Sequence, residues 1–152
     1  MSAKIDKNAL RKEDLVGAWR ELGREFIGGD GSVKADVQRT SQIMYTPDGY
    51  MGVVNTPAAR TKIGDTGGRM DVDAVSANER AQAALGVVAY AGQYEIEGDI
   101  VRHTLYAALN PNLPGTTQVR RATLNGDDLT LATLPDAEGK YFRIRWRRAG
   151  KM

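Results

Sequence analysis

The sequence predicts an all-β fold, an eight-stranded antiparallel up-and-down β-barrel, and two observations support this expectation. First, Gly-containing pairs such as Asp48-Gly49, Gly98-Asp99 and Asn125-Gly126 lie between apolar runs. Such pairs favour tight hairpin turns because they tolerate positive φ. Second, short runs that alternate between apolar and polar residues recur between the turns. Eight such strands in sequential hairpins can close into a barrel that holds packed side chains or one small ligand.

The alternating runs also give the bounds of the elements. A short helical turn around Asn8–Glu13 precedes the first strand. The predicted strands are Leu15–Ile27, Val37–Tyr45, Tyr50–Asn55, Ala89–Glu97, Ile100–Leu109, Thr116–Leu124, Leu129–Leu134 and Lys140–Arg148. The glycine-rich stretch that follows the first strand has neither the Lys nor the helix start of a phosphate-binding loop, so we interpret it as a plain hairpin loop.

One long segment separates the third and fourth strands. Residues Thr56–Leu85 are too many for a hairpin loop, and segments of this length are usually functional lids or mobile loops. Within the segment, Ser76 and Glu79 have the spacing of a capping box, which predicts the start of a helix that runs to about Leu85. We therefore expect one helix in the long loop before the fourth strand.

The composition excludes several classes of function. The 152 residues fit a single domain over 1–152, with a core over about 14–148. The chain has no Cys, which excludes disulfides, thiolate nucleophiles and Cys-ligated metal centres. Its single histidine, His103, excludes metal sites built from several histidines. We therefore expect neither a metal nor an organic cofactor.

Charge and hydropathy narrow the range of partners. The N-terminal residues 1–10 are charged and lack the apolar core of a signal peptide, so we expect a cytoplasmic protein that does not enter a membrane. The formal net charge is +2, and the main basic cluster, Arg143, Arg145, Arg147 and Arg148, alternates with apolar residues. On a strand Arg143, Arg145 and Arg147 share one solvated face, opposite Phe142, Ile144 and Trp146, so we expect no nucleic-acid partner. A monomer or a homodimer is expected.

The face of the strand that contains His103 is the more apolar one, so His103 is expected to point into the barrel. The residues that share this face are Val101, His103, Leu105, Ala107 and Leu109. A histidine among apolar neighbours is either a satisfied core group or a group that contacts a ligand, and the pattern alone leaves both interpretations open.

Further polar side chains are expected in the interior. Tyr90 and Tyr94 share the inward face of one strand, and Glu21 follows Trp19 inward unless a bulge resets the register. The pattern around Arg120 leaves an inward and a solvated position open. A buried polar group costs about 1–3 kcal/mol when unpaired, so these groups must bond each other, water or a ligand.

Several blocks of sequence, in order over about residues 14–148, resemble the bacterial and fungal lipocalin-like domain family. The blocks are Leu15-Val16-Gly17-Ala18-Trp19-Arg20, Met44-Tyr45-Thr46-Pro47-Asp48-Gly49-Tyr50-Met51, Tyr90-Ala91-Gly92-Gln93-Tyr94-Glu95, Val101-Arg102-His103, Asn110-Pro111-Asn112-Leu113-Pro114-Gly115-Thr116, Asn125-Gly126-Asp127-Asp128-Leu129-Thr130-Leu131 and Ile144-Arg145-Trp146-Arg147-Arg148. The resemblance implies a lipocalin-like barrel with a central ligand cavity. It also implies that Trp19 closes one barrel end beneath Arg148, and that His103 and Arg120 match the family's own His and Arg. Glu21 departs from the family, which usually has an apolar residue there.

Two functions follow from these expectations. The first is a metal- and cofactor-free isomerase, cyclase or lyase for a small hydrophobic or aromatic molecule. In it, His103 moves a proton, Glu21 orients His103, and Arg120 stabilises negative charge. The expected ligand contacts are Trp19, Tyr45, Tyr90, Tyr94 and Arg120. The alternative is a carrier that binds a small apolar ligand without chemistry, and a barrel with a filled interior is a third, structural option.

Overall fold

The computed structural model describes residues 9–150, which form two helices and nine strands. In chain order these are α1 (Lys12–Leu15), β1 (Gly17–Ile27), β2 (Val33–Ala35), β3 (Arg39–Tyr45), β4 (Tyr50–Pro57), α2 (Ala77–Ala84), β5 (Val88–Glu97), β6 (Ile100–Ala108), β7 (Thr117–Asn125), β8 (Asp128–Ala132) and β9 (Tyr141–Arg148).

The strands form one antiparallel sheet that closes on itself, which confirms the predicted lipocalin-like barrel. The order is β2-β1-β3-β4-β5-β6-β7-β8-β9, and a further pairing between β1 and β9 closes the ring of eight strands. Closure leaves these eight strands without an unpaired edge. The additional strand β2 was not predicted. It pairs only with the end of β1, where Ile27 lies opposite Val33.

Glycine conformations account for the hairpins that the sequence predicts. Gly49, Gly98 and Gly126 have φ values of 96°, 63° and 60°, and each lies in the turn between two paired strands. Residues with a Cβ adopt this backbone region at a cost, whereas glycine adopts it freely. Local sequence therefore determines which strands become neighbours.

The helices lie close to their predicted positions. Ser76 caps α2, since its Oγ accepts from the Glu79 N–H while the Glu79 carboxylate accepts from the Ser76 N–H. The first helix is Lys12–Leu15, later than the turn expected around 8–13, and Asn8 lies outside the described residues. Leu15, expected to begin a strand, is the last helical residue and is fully buried. Across residues 9–150, neither helix has the length and apolar character needed to span a membrane.

A β-bulge in β1 changes which side chains enter the barrel. Glu21 pairs with Trp146 and Gly23 pairs with Arg145, so Leu22 is the additional residue. The extra residue reverses the alternation after Glu21. As a result Glu21 and Arg24, three residues apart, are both buried on the inner side of the strand.

A second irregularity, in β6, corrects an expected register. Ala91 pairs with Ala107 and Gly92 pairs with Leu105, so Tyr106 is the additional residue. Alternation from His103 predicted that Ala107 and Leu109 point inward. Both are exposed, because the bulge reverses the faces beyond Leu105.

The outer face of β9 carries Arg143, Arg145 and Arg147, as expected. Arg143 and Arg145 form ion pairs with Glu25, and Arg147 forms one with Asp128. On the inner face, Trp146 belongs to the hydrophobic core of the barrel. These charged side chains of β9 therefore form a solvated face, and the apolar side chains that alternate with them form a buried face.

Candidate functional site

One end of the barrel is closed around Trp19, and we call this set of residues, Asp14, Leu15, Val16, Trp19 and Arg148, the closed end. The indole N–H of Trp19 donates to the Leu15 carbonyl at 2.8 Å. The Arg148 guanidinium lies 4.2 Å from the centre of the indole ring. It also donates to the carbonyls of Val16 and Asp14 at 2.9 and 2.7 Å. The polar atoms in these contacts are thus satisfied within the protein.

A cavity of about 220 Å³ occupies the barrel interior. Most of its wall is apolar, formed by Ile43, Val53, Val88, Leu113, Leu131, Phe142, Ile144 and Trp146. Its remaining lining residues are polar, namely Arg24, Asn55, Tyr90, His103, Gln118 and Arg120. A dry cavity of roughly 150 Å³ admits benzene, so this volume suits a molecule with one ring and a few substituents.

His103 lies in the cavity wall and is almost completely buried, with 1% of its surface exposed. Its Nε2 lies 2.8 Å from the Tyr45 hydroxyl. Burial, reinforced by the positive charge of Arg120, lowers the pKa of His103 from 6.5 to about 3. Burial raises the pKa of Tyr45 well above 10. Both side chains are therefore neutral at neutral pH.

The hydrogen bond between these two side chains selects one tautomer of His103. Within residues 9–150, His103 Nδ1 is buried and has no hydrogen-bond partner. If Tyr45 donates to Nε2, only the Nδ1–H is left unpaired. In the other tautomer both the Nδ1 lone pair and the phenol hydrogen are unpaired, at a further cost of about 1–3 kcal/mol. The Nδ1–H is thus an available hydrogen-bond donor on a residue of the cavity wall.

Arg120 contributes a positive charge to the same wall. Its Nη1 donates to the Val119 carbonyl at 2.8 Å and its Nη2 to Gln118 Oε1 at 3.4 Å. No carboxylate of the described chain forms an ion pair with it. Its positive charge adds to the lowering of the pKa of His103 and opposes the rise that burial causes in the pKa of Tyr90.

Glu21 points inward, but its partner differs from the expected one. Its carboxylate accepts from Arg24 Nε at 2.6 Å and from Arg24 Nη2 at 2.9 Å. The two side chains are 1% and 7% exposed. No hydrogen bond joins Glu21 to His103 in residues 9–150, so Tyr45, not Glu21, is the hydrogen-bond partner of His103.

Arg24 is a cavity residue that sequence reasoning missed. In a regular strand, residues three positions apart lie on opposite faces, and only the bulge at Leu22 brings Arg24 beside Glu21. Gly23 next to the bulge was the available signal, since glycine inside a strand often marks such an irregularity.

Trp146 is a second cavity residue that was not predicted as functional. Its indole Nε1 is buried and lacks a hydrogen-bond partner within the described chain. Alternation placed Trp146 in the interior. The lack of an acceptor depends on which side chains surround it after folding, and no local pattern reports that.

The other predicted ligand contacts divide between the cavity and its surroundings. Tyr90 lines the cavity, whereas Tyr45 packs behind His103. The Tyr94 hydroxyl donates to the Thr46 carbonyl at 2.6 Å, and its ring meets that of Tyr45 edge-on. Trp19 belongs to the closed end and is not a cavity residue. Tyr94 and Trp19 thus have structural partners and do not line this cavity.

The long β4–β5 segment is fastened to the barrel beside the cavity. Arg39 Nη1 donates both to Asn55 Oδ1 at 3.0 Å and to the Gly86 carbonyl at 2.5 Å. Asn55 lines the cavity, and Gly86 follows α2. A separate cleft of about 740 Å³ lies between this segment and the barrel. The segment is therefore attached to the barrel next to a cavity residue.

Together these features define a small closed β-barrel whose interior cavity carries a cluster of hydrogen-bond donors. The chain belongs to the lipocalin-like domain family, because the family's model matches residues 16–149. A lipocalin-like protein from Bacteroides uniformis ATCC 8492 is similar in structure, with 15% identity, a TM-score of 0.46, and coverage of 90% of this chain and 99% of that chain. An uncharacterized protein from Bacteroides eggerthii DSM 20697 has 14% identity, a TM-score of 0.45, and coverage of 89% and 99%. No curated protein matches the chain.

Proposed function

We propose that this barrel binds a small aromatic or apolar molecule that directs an oxygen atom towards His103 and Arg120. The observation that carries the proposal is the 220 Å³ cavity, which is apolar except for one cluster of polar groups. The Nδ1 of His103 and the Nε1 of Trp146, two atoms of residues that line the cavity, are buried without partners among residues 9–150. Because buried donors are nearly always paired in proteins, these two atoms point to a ligand with hydrogen-bond acceptors.

The cavity also argues against the third option drawn from the sequence, a barrel with a filled interior. Small-molecule sites combine apolar walls with a few placed polar groups, and this cavity has that composition. Its volume is smaller than the roughly 300–1,000 Å³ of sites for drug-sized molecules. A single-ring ligand is therefore proposed.

Calorimetric titration with benzoate tests the proposal, and Arg120 and its neighbour supply a matched pair of variants. Replacing Arg120 by Met removes a charged donor worth roughly 1.5–3 kcal/mol, so the Kd for benzoate should rise at least about tenfold. Arg121 is the next residue of the same strand and is 53% exposed in an ion pair with Asp99. Arg121→Met should leave the Kd within about twofold. Equal effects of the two variants, or no binding by the unmodified chain, would contradict the proposal.

Acid–base catalysis without a metal or cofactor is the second candidate, and the buried carboxylate of Glu21 favours it. Glu21 does not itself line the cavity, so a substrate carbonyl oxygen would first have to accept from Arg24 in its place; the freed carboxylate could then reach the substrate and take a proton from the carbon beside the carbonyl. Arg120 and the His103 Nδ1–H would then stabilise the charge that develops on oxygen. In this arrangement His103 acts as a neutral donor, whereas the sequence alone suggested that it moves the proton.

Solvent exchange separates an enzyme from a carrier. Phenylacetone in D₂O loses its protons next to the carbonyl when a base and an oxyanion-stabilising group act together, and proton NMR follows the loss. An acid–base enzyme should accelerate the exchange, and Glu21→Gln should slow it about a hundredfold or more. A carrier should bind the ketone and return it without exchange above the buffer rate.

A further inference from the structure

We propose that the cavity selects a ligand with a single negative charge, and that Glu21 sets this number by neutralising Arg24. This inference rests on the proposed function, because it names the charge of the molecule that the cavity would bind. It makes Glu21 a specificity-determining residue that acts through Arg24 and does not touch the ligand.

The charges around the cavity can be counted from its wall. Two guanidinium groups line it, those of Arg24 and Arg120, and the imidazole of His103 is neutral. In the part of the chain that the structure describes, no carboxylate lines the cavity. The wall by itself therefore carries two positive charges.

Glu21 cancels one of them. Its carboxylate binds Arg24 through two hydrogen bonds, at 2.6 and 2.9 Å, and both side chains are shielded from solvent. Among the described residues, Arg120 has a backbone carbonyl and the side-chain oxygen of Gln118 as its partners. The site is left with one uncompensated positive charge, at Arg120.

The hydrogen-bonding groups of the wall indicate the sign of the charge on the ligand and the type of atom that carries this charge. Within residues 9–150, two fully buried ring nitrogens of wall residues lack a partner, the His103 Nδ1–H and the Trp146 Nε1–H, and both are donors. The two amide oxygens on the wall are already used, since Asn55 Oδ1 accepts from Arg39 and Gln118 Oε1 accepts from Arg120. A surplus of donors with one positive charge matches an oxyanion of charge −1.

A second negative charge would have no partner. In an enclosed site of low effective dielectric, an unpaired charge is far more costly than in water. A neutral ligand would leave Arg120 uncompensated, and a dianion would carry one charge in excess. A monoanion such as a carboxylate or sulfonate makes the occupied cavity neutral.

Three ligands of nearly equal shape test the inference, namely benzenesulfonamide, benzenesulfonate and phenylphosphonate. At mildly alkaline pH they carry no charge, one negative charge and two negative charges. Calorimetric titration of the unmodified chain should give a Kd for benzenesulfonate at least about tenfold below those for the other two. An unmodified chain that binds all three with similar affinity would overturn the inference.

Glu21→Gln tests the role of the carboxylate directly. The variant exposes the cavity to the full charge of Arg24, so the affinity for phenylphosphonate relative to benzenesulfonate should rise at least about tenfold. Glu25→Gln is the matched control. Glu25 lies on the same strand and forms ion pairs with Arg143 and Arg145 on the outer face, so its replacement should leave the preference unchanged.

The double variant Glu21→Gln/Arg24→Gln keeps the test decisive if Glu21→Gln does not fold. It removes both charges of the pair and keeps Arg120 as the single charge, so it should prefer benzenesulfonate as the unmodified chain does. A double variant that favours phenylphosphonate overturns the inference. If neither benzoate nor any of the three ligands binds to the unmodified chain, the proposed function itself fails. If the ligands bind with similar affinity, only the inference about charge fails.

Discussion

The two tryptophans of the chain are both buried, yet they differ in whether the indole N–H group has a hydrogen-bond acceptor. Trp19 at the closed end donates to the Leu15 carbonyl, and Arg148 covers its ring. Trp146 in the cavity wall has no acceptor for its N–H within residues 9–150. Burial is therefore the same for the two indoles, and they differ in whether the described part of the chain supplies an acceptor for the N–H.

The same contrast holds for the charged residues of the two regions. At the closed end, Arg148 binds two backbone carbonyls and an indole ring. Around the cavity, Arg120 has no carboxylate partner in the described part of the chain. Polar groups that are satisfied inside the protein stabilise the fold, whereas groups that are left unsatisfied cost stability unless a ligand pairs with them.

The largest expected difference between the regions is in stability. Trp19→Phe removes the hydrogen bond to Leu15 and weakens the stacking of Arg148, so the free energy of unfolding should fall by roughly 2–3 kcal/mol. Trp146→Phe removes a donor that has no partner among the described residues, so the loss should be below about 1 kcal/mol. Urea unfolding of the two variants provides the measurement. Equal losses would show that the pairing of the indole N–H does not distinguish the two regions.

A second, smaller effect is the loss of stability at acidic pH that the buried His103 causes. Burial lowers the pKa of His103 to about 3 in the folded chain, whereas in the unfolded chain the imidazole has its ordinary pKa of 6.5. As the pH drops, the imidazole therefore takes up a proton in the unfolded chain at a higher pH than in the folded chain. The free energy of unfolding falls by roughly 1.4 kcal/mol per pH unit between pH 6.5 and 3. Above pH 6.5 this contribution is constant.

His103→Gln should remove that part of the pH dependence. At about pH 5 the unmodified chain should have lost roughly 2 kcal/mol more than the variant, relative to neutral pH. Denaturant unfolding at a series of pH values measures the difference between the two chains. Parallel curves for them would contradict the burial of a neutral imidazole.

Much of the fold could be predicted because its determinants are local. Glycines that adopt positive φ define the hairpins, and alternation defines the strands between them. The capping box at Ser76 and Glu79 predicted the start of α2. The stack of Arg148 on Trp19 followed from resemblance to the family, and the structure contains it.

The site could be predicted only in part because its geometry depends on irregularities. The bulge at Leu22 brings Arg24 to the inner face, where it binds the Glu21 carboxylate that was expected to serve His103. The bulge at Tyr106 turns Ala107 outward. Both depend on how paired strands fit together, which alternation along one strand does not report.

The proposal that the cavity beside His103 is the ligand site can be tested directly, because the chain has a single histidine. Nitrogen-15 NMR of histidine-labelled protein shows one imidazole, free and in the presence of saturating benzoate. We expect a neutral ring with its proton on Nδ1, and a clear shift of the Nδ1–H resonance when benzoate binds. A proton on Nε2 in the free protein, or an imidazole spectrum that does not change at saturation, would contradict the claim.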